Sequence, residues 1–161
     1  MKVCIIANGR MEYPDFPRKI IKEADTVICA DGGANHADRL QISPDYVVGD
    51  MDSIKKEVVV KMEKNNRTHM IIDPDQDKTD MQIAIEKANS LNPREVIILG
   101  AIGSRMDHTL SNILSLSGIG EGIKARIMDE HNDIQMVEDS ITLKGHKDDT
   151  ISVIALTDVE G

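Results

Sequence analysis

The alternation of two hydrophobic periods does most to limit how this chain can fold. Short apolar runs rich in β-branched residues, Val3–Ala7, Thr26–Ala30, Tyr46–Val48, Met70–Ile72 and Val96–Leu99, read as buried strands. Between them the apolar residues recur at helical spacing. Phe16–Ala24 reads as a helix with Pro17 in its first turn, and Ala34–Leu40 and Ile54–Glu63 as two more. Met81, Ala84, Ile85 and Ala88 mark a fourth, with Thr79 as N-cap because Gln82 three residues on completes a capping box. A fifth helix starts at Asp107 or His108 and stops near Gly118. Repeated β–α alternation implies right-handed crossovers and a parallel sheet covered by helices on both faces, an α/β fold of Rossmann-like type. Beyond Gly122 the helical period disappears. Ala125–Met128, Ile134–Val137, Ile141–Leu143 and Ile151–Ala155 read as short strands separated by turns. The expected organisation is an α/β domain over residues 1–122 and a β-rich unit over 123–161.

Each polar cluster of the chain lies just past the carboxyl end of one of the five expected strands, the edge at which open parallel sheets bind ligands. Gly49-Asp50-Met51-Asp52-Ser53 follows the third strand. In extended chain, Asp50 and Asp52 point to one side, and two carboxylates so close call for a cation between them. A hard divalent ion such as Mg2+ suits them; the plainer reading is a solvated turn capping the next helix. Asp31-Gly32-Gly33 sets a carboxylate beside two residues without Cβ, where a phosphate can come close. The loop Asp73–Asp80 runs into a helix N-terminus, which favours phosphate oxygens, although Asp80 alone also suits simple dipole compensation. In Gly100–His108, Arg105 offers a fork for phosphate between glycines and an Asp-His pair, and His108 is better suited to packing than to donating to phosphate. Asn8-Gly9 closes the set after the first strand.

Composition narrows the partners. A net charge of -9 over 161 residues argues against nucleic acid. No apolar run reaches the length of a membrane span, and the apolar start Val3–Ala7 is too short for a signal peptide. Cys4 and Cys29 lie inside strand-like runs with no second ligand at metal spacing, which fits reduced core thiols in a cytoplasmic protein. Tyr13, Phe16 and Tyr46 are the only aromatic residues, few for a site that holds flat rings. Either the ligand is held mostly by its phosphates, or part of the ligand site lies outside this chain.

Asp31-Gly32-Gly33-Ala34, Gly49-Asp50-Met51-Asp52-Ser53, Asp75-Gln76-Asp77-Lys78-Thr79-Asp80 and Gly100–His108, in this order on a parallel α/β pattern, resemble thiamine pyrophosphokinase. The resemblance covers about residues 3–127. It implies an α/β catalytic domain followed by a β-sandwich, a homodimer, and a thiamine site at the subunit junction that also uses the sandwich. By that likeness the chain ends part-way through the sandwich, and Ile83 departs from relatives that carry lysine one turn into the helix.

The implied reaction is transfer of a diphosphate from ATP to thiamine, giving thiamine diphosphate and AMP. The resemblance makes Asp50 and Asp52 the principal magnesium ligands, with Asp31 and Asp80 adding to them. Gln76, Lys78, Thr79 and Arg105 would hold phosphate, helped by Asn8, Asp31, Gly32, Gly33 and His108. Asp107 joins the metal-phosphate cluster or orients Arg105. Asp50, Asp80 and Asp107 each stand as the group that takes the hydroxyl proton. Two other readings fit the motifs: a nucleotide-sugar transferase using Asp50-Met51-Asp52, and a non-catalytic nucleotide-binding module.

Overall fold

A computed structural model describes residues 1–72 and 77–157. It is built around strand β1 (Lys2–Ile6), which lies between β2 (Thr26–Ala30) and β5 (Glu95–Leu99) and is parallel to both. β3 (Tyr46–Val48) and β4 (His69–Ile71) extend the sheet beyond β2. Beyond β5 lie β6 (Lys124–Met128), parallel, and β7 (Asp133–Ile134), antiparallel. The order across the seven-stranded sheet is β4-β3-β2-β1-β5-β6-β7.

Five α-helices cover it: α1 (Asp15–Lys22), α2 (Gly33–Arg39), α3 (Lys56–Lys64), α4 (Asp80–Ser90) and α5 (Met106–Leu114), the last followed by a 3-10 turn over Ser115–Gly118. The mixed α/β architecture agrees with the sequence reading, and the five strands expected before Gly100 sit within a residue or two of the apolar runs. Successive residues of β1 feed opposite layers, as the pleat requires. Val3, Ile5 and Ala7 pack with Met81, Ala84, Ile85 and Ala88 of α4. Cys4 and Ile6 pack with Ile21 of α1, Ala34 and Ala37 of α2, and Val58 and Met62 of α3. Ile83 is buried in the α4 layer.

The boundary expected near Gly122 is not where this sheet ends. Residues 125–128, read as the first strand of a second unit, pair in parallel register with β5 from Glu95↔Lys124 to Leu99↔Met128. A short run that mixes Ala125, Ile127 and Met128 with Arg126 serves the edge of a parallel sheet as well as a sandwich, so its period did not choose between them. Ile134–Val137 shortens to a two-residue strand, and residues 141–143 and 151–155 form no strand. Val137, Ile141, Leu143, Ile151 and Val153 are exposed, with no ladder partner among the described residues to fix them as strands. None of the helices is long and apolar enough to cross a membrane among the described residues.

How α2 meets the sheet depends on Gly33. A Cβ built there would stand 1.9 Å from the Ile6 carbonyl oxygen, so only glycine lets the helix start directly over the end of β1. Gly33→Ala should therefore destabilise the fold by about 2 kcal/mol or more, the range of overpacking into backbone. Urea unfolding would measure this, and a loss below about 0.5 kcal/mol would mean that α2 does not depend on this close approach.

Candidate active site

The parallel register carries the ends of β2 and β3 to the same edge, and there the sequence places its carboxylates. Asp31 follows β2 with φ 39°, its amide donating to the Val48 carbonyl at 2.8 Å. The side chain is buried, 5% exposed, and its Oδ1 accepts from the Ser53 amide at 3.4 Å. After β3 the chain turns through Gly49, whose φ of 121° no L side chain adopts easily and whose Cβ would stand 2.4 Å from an Asp80 carboxylate oxygen. Asp50 Oδ1 accepts from the Asp52 amide at 3.1 Å, and Ser53 Oγ donates to Asp52 Oδ1 at 2.9 Å. Asp31, Asp50 and Asp52 each offer an oxygen within 4.8 Å of the others, with Asp31 buried and the other two exposed. Three hard oxygen donors converging in this way suit a divalent cation such as Mg2+.

Asp80 opens α4 against this group. Burial raises its pKa from 3.8 to about 6, and the charges of Asp31, Asp50 and Asp52 add to the effect. Thr79 caps the helix as its spacing requires: its Oγ1 accepts from the Gln82 amide at 3.3 Å, and the Gln82 side chain accepts from the Thr79 amide at 2.8 Å. The cap still leaves the Thr79 hydroxyl hydrogen able to donate. Lys78 pairs with Glu86 at 2.8 Å on the flank of α4. Gln76, with Asp73 and Asp75, lies outside the described residues.

The space beside Asp31 is not open to a ligand at both glycines. Gly33 is filled by the Ile6 carbonyl, and a Cβ on Gly32 would stand 2.2 Å from Asn8 Nδ2. Asn8 and Gly32 therefore meet each other at the edge.

The β5–α5 loop is pinned to its helix. Thr109 Oγ1 accepts from the Gly103 amide at 3.1 Å, and Asn112 Nδ2 donates to the Ala101 carbonyl at 2.8 Å. Arg105 Nε and Nη2 donate to the two oxygens of Asp107 at 3.3 and 2.5 Å. This fork holds the Asp107 pKa below the usual carboxylate range. Both side chains and His108 are exposed, and Asp107 is not among the carboxylates that converge.

Three residues of α2 fix these loops, and their roles were not drawn from the sequence. Asn35 Nδ2 donates to the Ser53 carbonyl at 2.9 Å, and its Oδ1 accepts from the Lys55 amide at 3.0 Å, which ties down the segment after Asp52. His36 Nε2 lies 2.8 Å from the Gly9 carbonyl, and Arg39 donates to the Met11 carbonyl. Because the carbonyl only accepts, His36 Nε2 carries the hydrogen. Its Nδ1 then accepts from Arg39 Nη2 at 3.3 Å, and burial, with the Arg39 charge, holds the pKa below 6.5. The one signal in the sequence was the number of polar residues, Asn35, His36, Asp38 and Arg39, in the short helix that follows Gly32-Gly33.

The raised pKa of Asp80 gives a signed expectation for the metal-free protein. The fold favours the protonated acid, so its contribution is full below about pH 4 and declines as pH rises towards about 6. Asp80→Asn removes the titration. Its advantage in unfolding free energy should therefore grow from near zero at about pH 4 to about 1 kcal/mol at neutral pH, after allowance for solvent around a half-exposed group. Chemical denaturation in chelator across this range would check it. A pH-independent difference would show that Asp80 does not feel the other three carboxylates.

Comparison with known proteins bears on what this edge is for. The chain is 33% identical over 132 residues to thiamine pyrophosphokinase 3 of Oryza sativa subsp. japonica, covering 68% of this chain and 48% of that protein. It is 35% identical over 96 residues to thiamine pyrophosphokinase of Bacillus subtilis, covering 59% and 45%. It therefore spans about half the length of the curated relatives it matches. The crystal structure of thiamine pyrophosphokinase from Bacillus subtilis superposes with a TM-score of 0.70 at 29% identity, over 84% of this chain and 63% of that one. Nothing among these relatives favours a nucleotide-sugar transferase. Residues 17–127, which carry all four motifs, match the thiamin pyrophosphokinase catalytic domain, and with that match over most of its length the chain belongs to the thiamine pyrophosphokinase family.

Proposed function

We propose that this chain carries the catalytic part of a magnesium-dependent ATP:thiamine diphosphotransferase. The observation that carries the reading is the convergence of the Asp31, Asp50 and Asp52 oxygens at the carboxyl edge of a sheet of this family. The hydroxyl oxygen of thiamine attacks the β-phosphorus of ATP. The bond from that phosphorus to the α–β bridging oxygen breaks, AMP leaves with the oxygen, and thiamine diphosphate forms. Such a transfer needs in-line placement and charge neutralisation more than covalent help from the protein. Asp31, Asp50 and Asp52 would hold Mg2+, which would supply that neutralisation.

The remaining roles follow from position. Asp80 touches the Gly49 turn beside the ligands and is assigned as a further ligand and acceptor of the hydroxyl proton. Asp107 orients Arg105, whose other N–H groups would be left to hold phosphate. Thr79 donates its free hydroxyl hydrogen to a phosphate oxygen at the start of α4, and Lys78 and Gln76, close to it in sequence, are assigned to phosphate as well. Asn8, Gly32 and Gly33 shape the floor; His108 is exposed at the start of α5, so it does not pack as its sequence context suggested, and it is assigned to phosphate beside Arg105.

We also infer a second unit, homodimerisation and a cytoplasmic location. The exposed residues Met106, Leu110 and Leu114 stand one turn apart on α5, and the apolar tail beyond Val137 is equally exposed. Apolar surface of this extent supports a covering partner. A β-sandwich beginning after β7, together with a second copy, would provide it and complete the thiamine site.

The decisive experiment incubates this chain, and any longer form, with ATP, Mg2+ and thiamine and assays AMP and thiamine diphosphate. Absence of both products from every form would end the proposal. Asp50→Asn and Asp52→Asn should each abolish turnover while circular dichroism and melting stay unchanged. A near-normal rate at saturating Mg2+ in either variant would remove that residue from the metal site. Arg105→Ala should raise the dissociation constant for Mg–ATP about tenfold or more, as loss of a charge-assisted bond does. Calorimetry giving an unchanged constant would make Arg105 a surface cation.

A further inference from the structure

The carboxyl edge has a second feature that the acidic cluster does not use. Strand order reverses at β1, with β2, β3 and β4 built out on one side and β5 and β6 on the other. Crevices at such switch points are the usual ligand sites of open α/β sheets. A cavity of about 420 Å3 lies there, lined by Arg10, Tyr13, Ile102, Ser104, Glu130 and His131 from the loops after β1, β5 and β6. That volume falls within the range of small-molecule sites, roughly 300–1,000 Å3. A larger cavity of about 710 Å3 sits at the opposite edge, between Pro93–Glu95 and Gly120–Lys124, away from every loop described above.

Two independent observations identify what the switch-point cavity takes. Glu130 Oε1 is buried and has no hydrogen-bond partner, alone in this among the side-chain atoms of the described residues. Its neighbour Asp129 is spent on the turn, accepting from the amides of His131 at 2.8 Å and Asn132 at 2.7 Å. Arg10 is already paired with Glu12 at 2.7 Å. A buried acceptor left unpaired is costly, so a donor from a ligand is the natural partner. The second observation concerns the aromatic residues. Phe16 packs into the core, and Tyr46 lies between the His69 ring and the Lys87 ammonium. Tyr13 is exposed and lines the cavity, the one aromatic ring of the chain left to meet a ligand.

We propose that this cavity is a ring-binding subsite in which Tyr13 stacks on an amino-substituted heteroaromatic ring and Glu130 accepts a hydrogen bond from the exocyclic amine. The inference rests on the reading above, because both ATP and thiamine present such an edge, on adenine and on the aminopyrimidine. The cavity walls lie two to four strand spacings, roughly 10–20 Å, along the edge from the loop that holds Asp50 and Asp52. A carboxylate accepts from an amine but repels a carbonyl, whereas an amide in its place pairs with either.

Calorimetry on the full chain with Mg–ATP against Mg–ITP, and with thiamine against oxythiamine, separates the two sources. In each analogue an oxygen replaces the amine. The unmodified chain should favour the amine-bearing member of one pair about tenfold or more. Glu130→Gln, which keeps the shape, should bring that ratio close to one without changing the melting temperature. Tyr13→Ala should weaken the same ligand about fivefold or more. Collapse of the ATP ratio assigns adenine to the subsite, and collapse of the thiamine ratio assigns the acceptor ring. Ratios unchanged by Glu130→Gln in every pair that binds, or no discrimination in the unmodified chain, would overturn the subsite while leaving the proposed activity standing. Failure of both ATP and thiamine to bind would overturn both.

Discussion

Everything at the working edge of this molecule depends on β1 being held in parallel register from both sides. Pairing from Val3↔Thr26 to Ile6↔Cys29 on one flank and from Lys2↔Glu95 to Ile6↔Leu99 on the other fixes where three strands end relative to one another. The loops that follow them are then neighbours before any side chain is considered. α2 is seated over the end of β1 by the contact between Gly33 and the Ile6 carbonyl, and from there Asn35, His36 and Arg39 reach loops on both sides of it. Placement of the acidic cluster is in this sense a property of backbone pairing, transmitted by one short helix.

The price of that placement is electrostatic. Asp31 is buried in a loop with positive φ, Asp50 and Asp52 share its neighbourhood, and Asp80 cannot keep an ordinary carboxylate pKa beside them. No cation of the protein pairs with these carboxylates among the ion pairs of the described residues: Lys78 goes to Glu86, and Arg105 to Asp107. Stability is given up where a site must hold charge, and a bound divalent ion would return it.

The sequence made some of this legible and hid the rest for physical reasons. The central strands were readable because strands buried on both faces are continuous apolar runs, and the start of α4 because Thr79 and Gln82 form a reciprocal cap. The convergence of Asp50 and Asp52 followed from their spacing at a strand end, and that of Asp31 from its place after β2. The sheet to which residues 124–128 belong was not legible, since a short strand-like run does not name its partner. Nor was the space beside Gly32 and Gly33, which suggests room for phosphate but is taken by Asn8 and the Ile6 carbonyl. The convergence of Tyr13 and Glu130, far apart in the chain, is created by the switch in strand order alone.

The two core thiols have a practical consequence. Cys4 and Cys29 are the only cysteines of the chain, both fully buried on adjacent central strands and both unpaired. Burial raises the Cys4 pKa to about 12 and pushes that of Cys29 higher as well, so neither thiol is a nucleophile while the sheet is intact. An alkylating reagent would therefore modify only molecules whose central strands have separated. The rate of labelling is thus a native clock for opening of the sheet, read without any engineered probe, and its slowing by an added ligand would report how firmly that ligand holds the central strands closed.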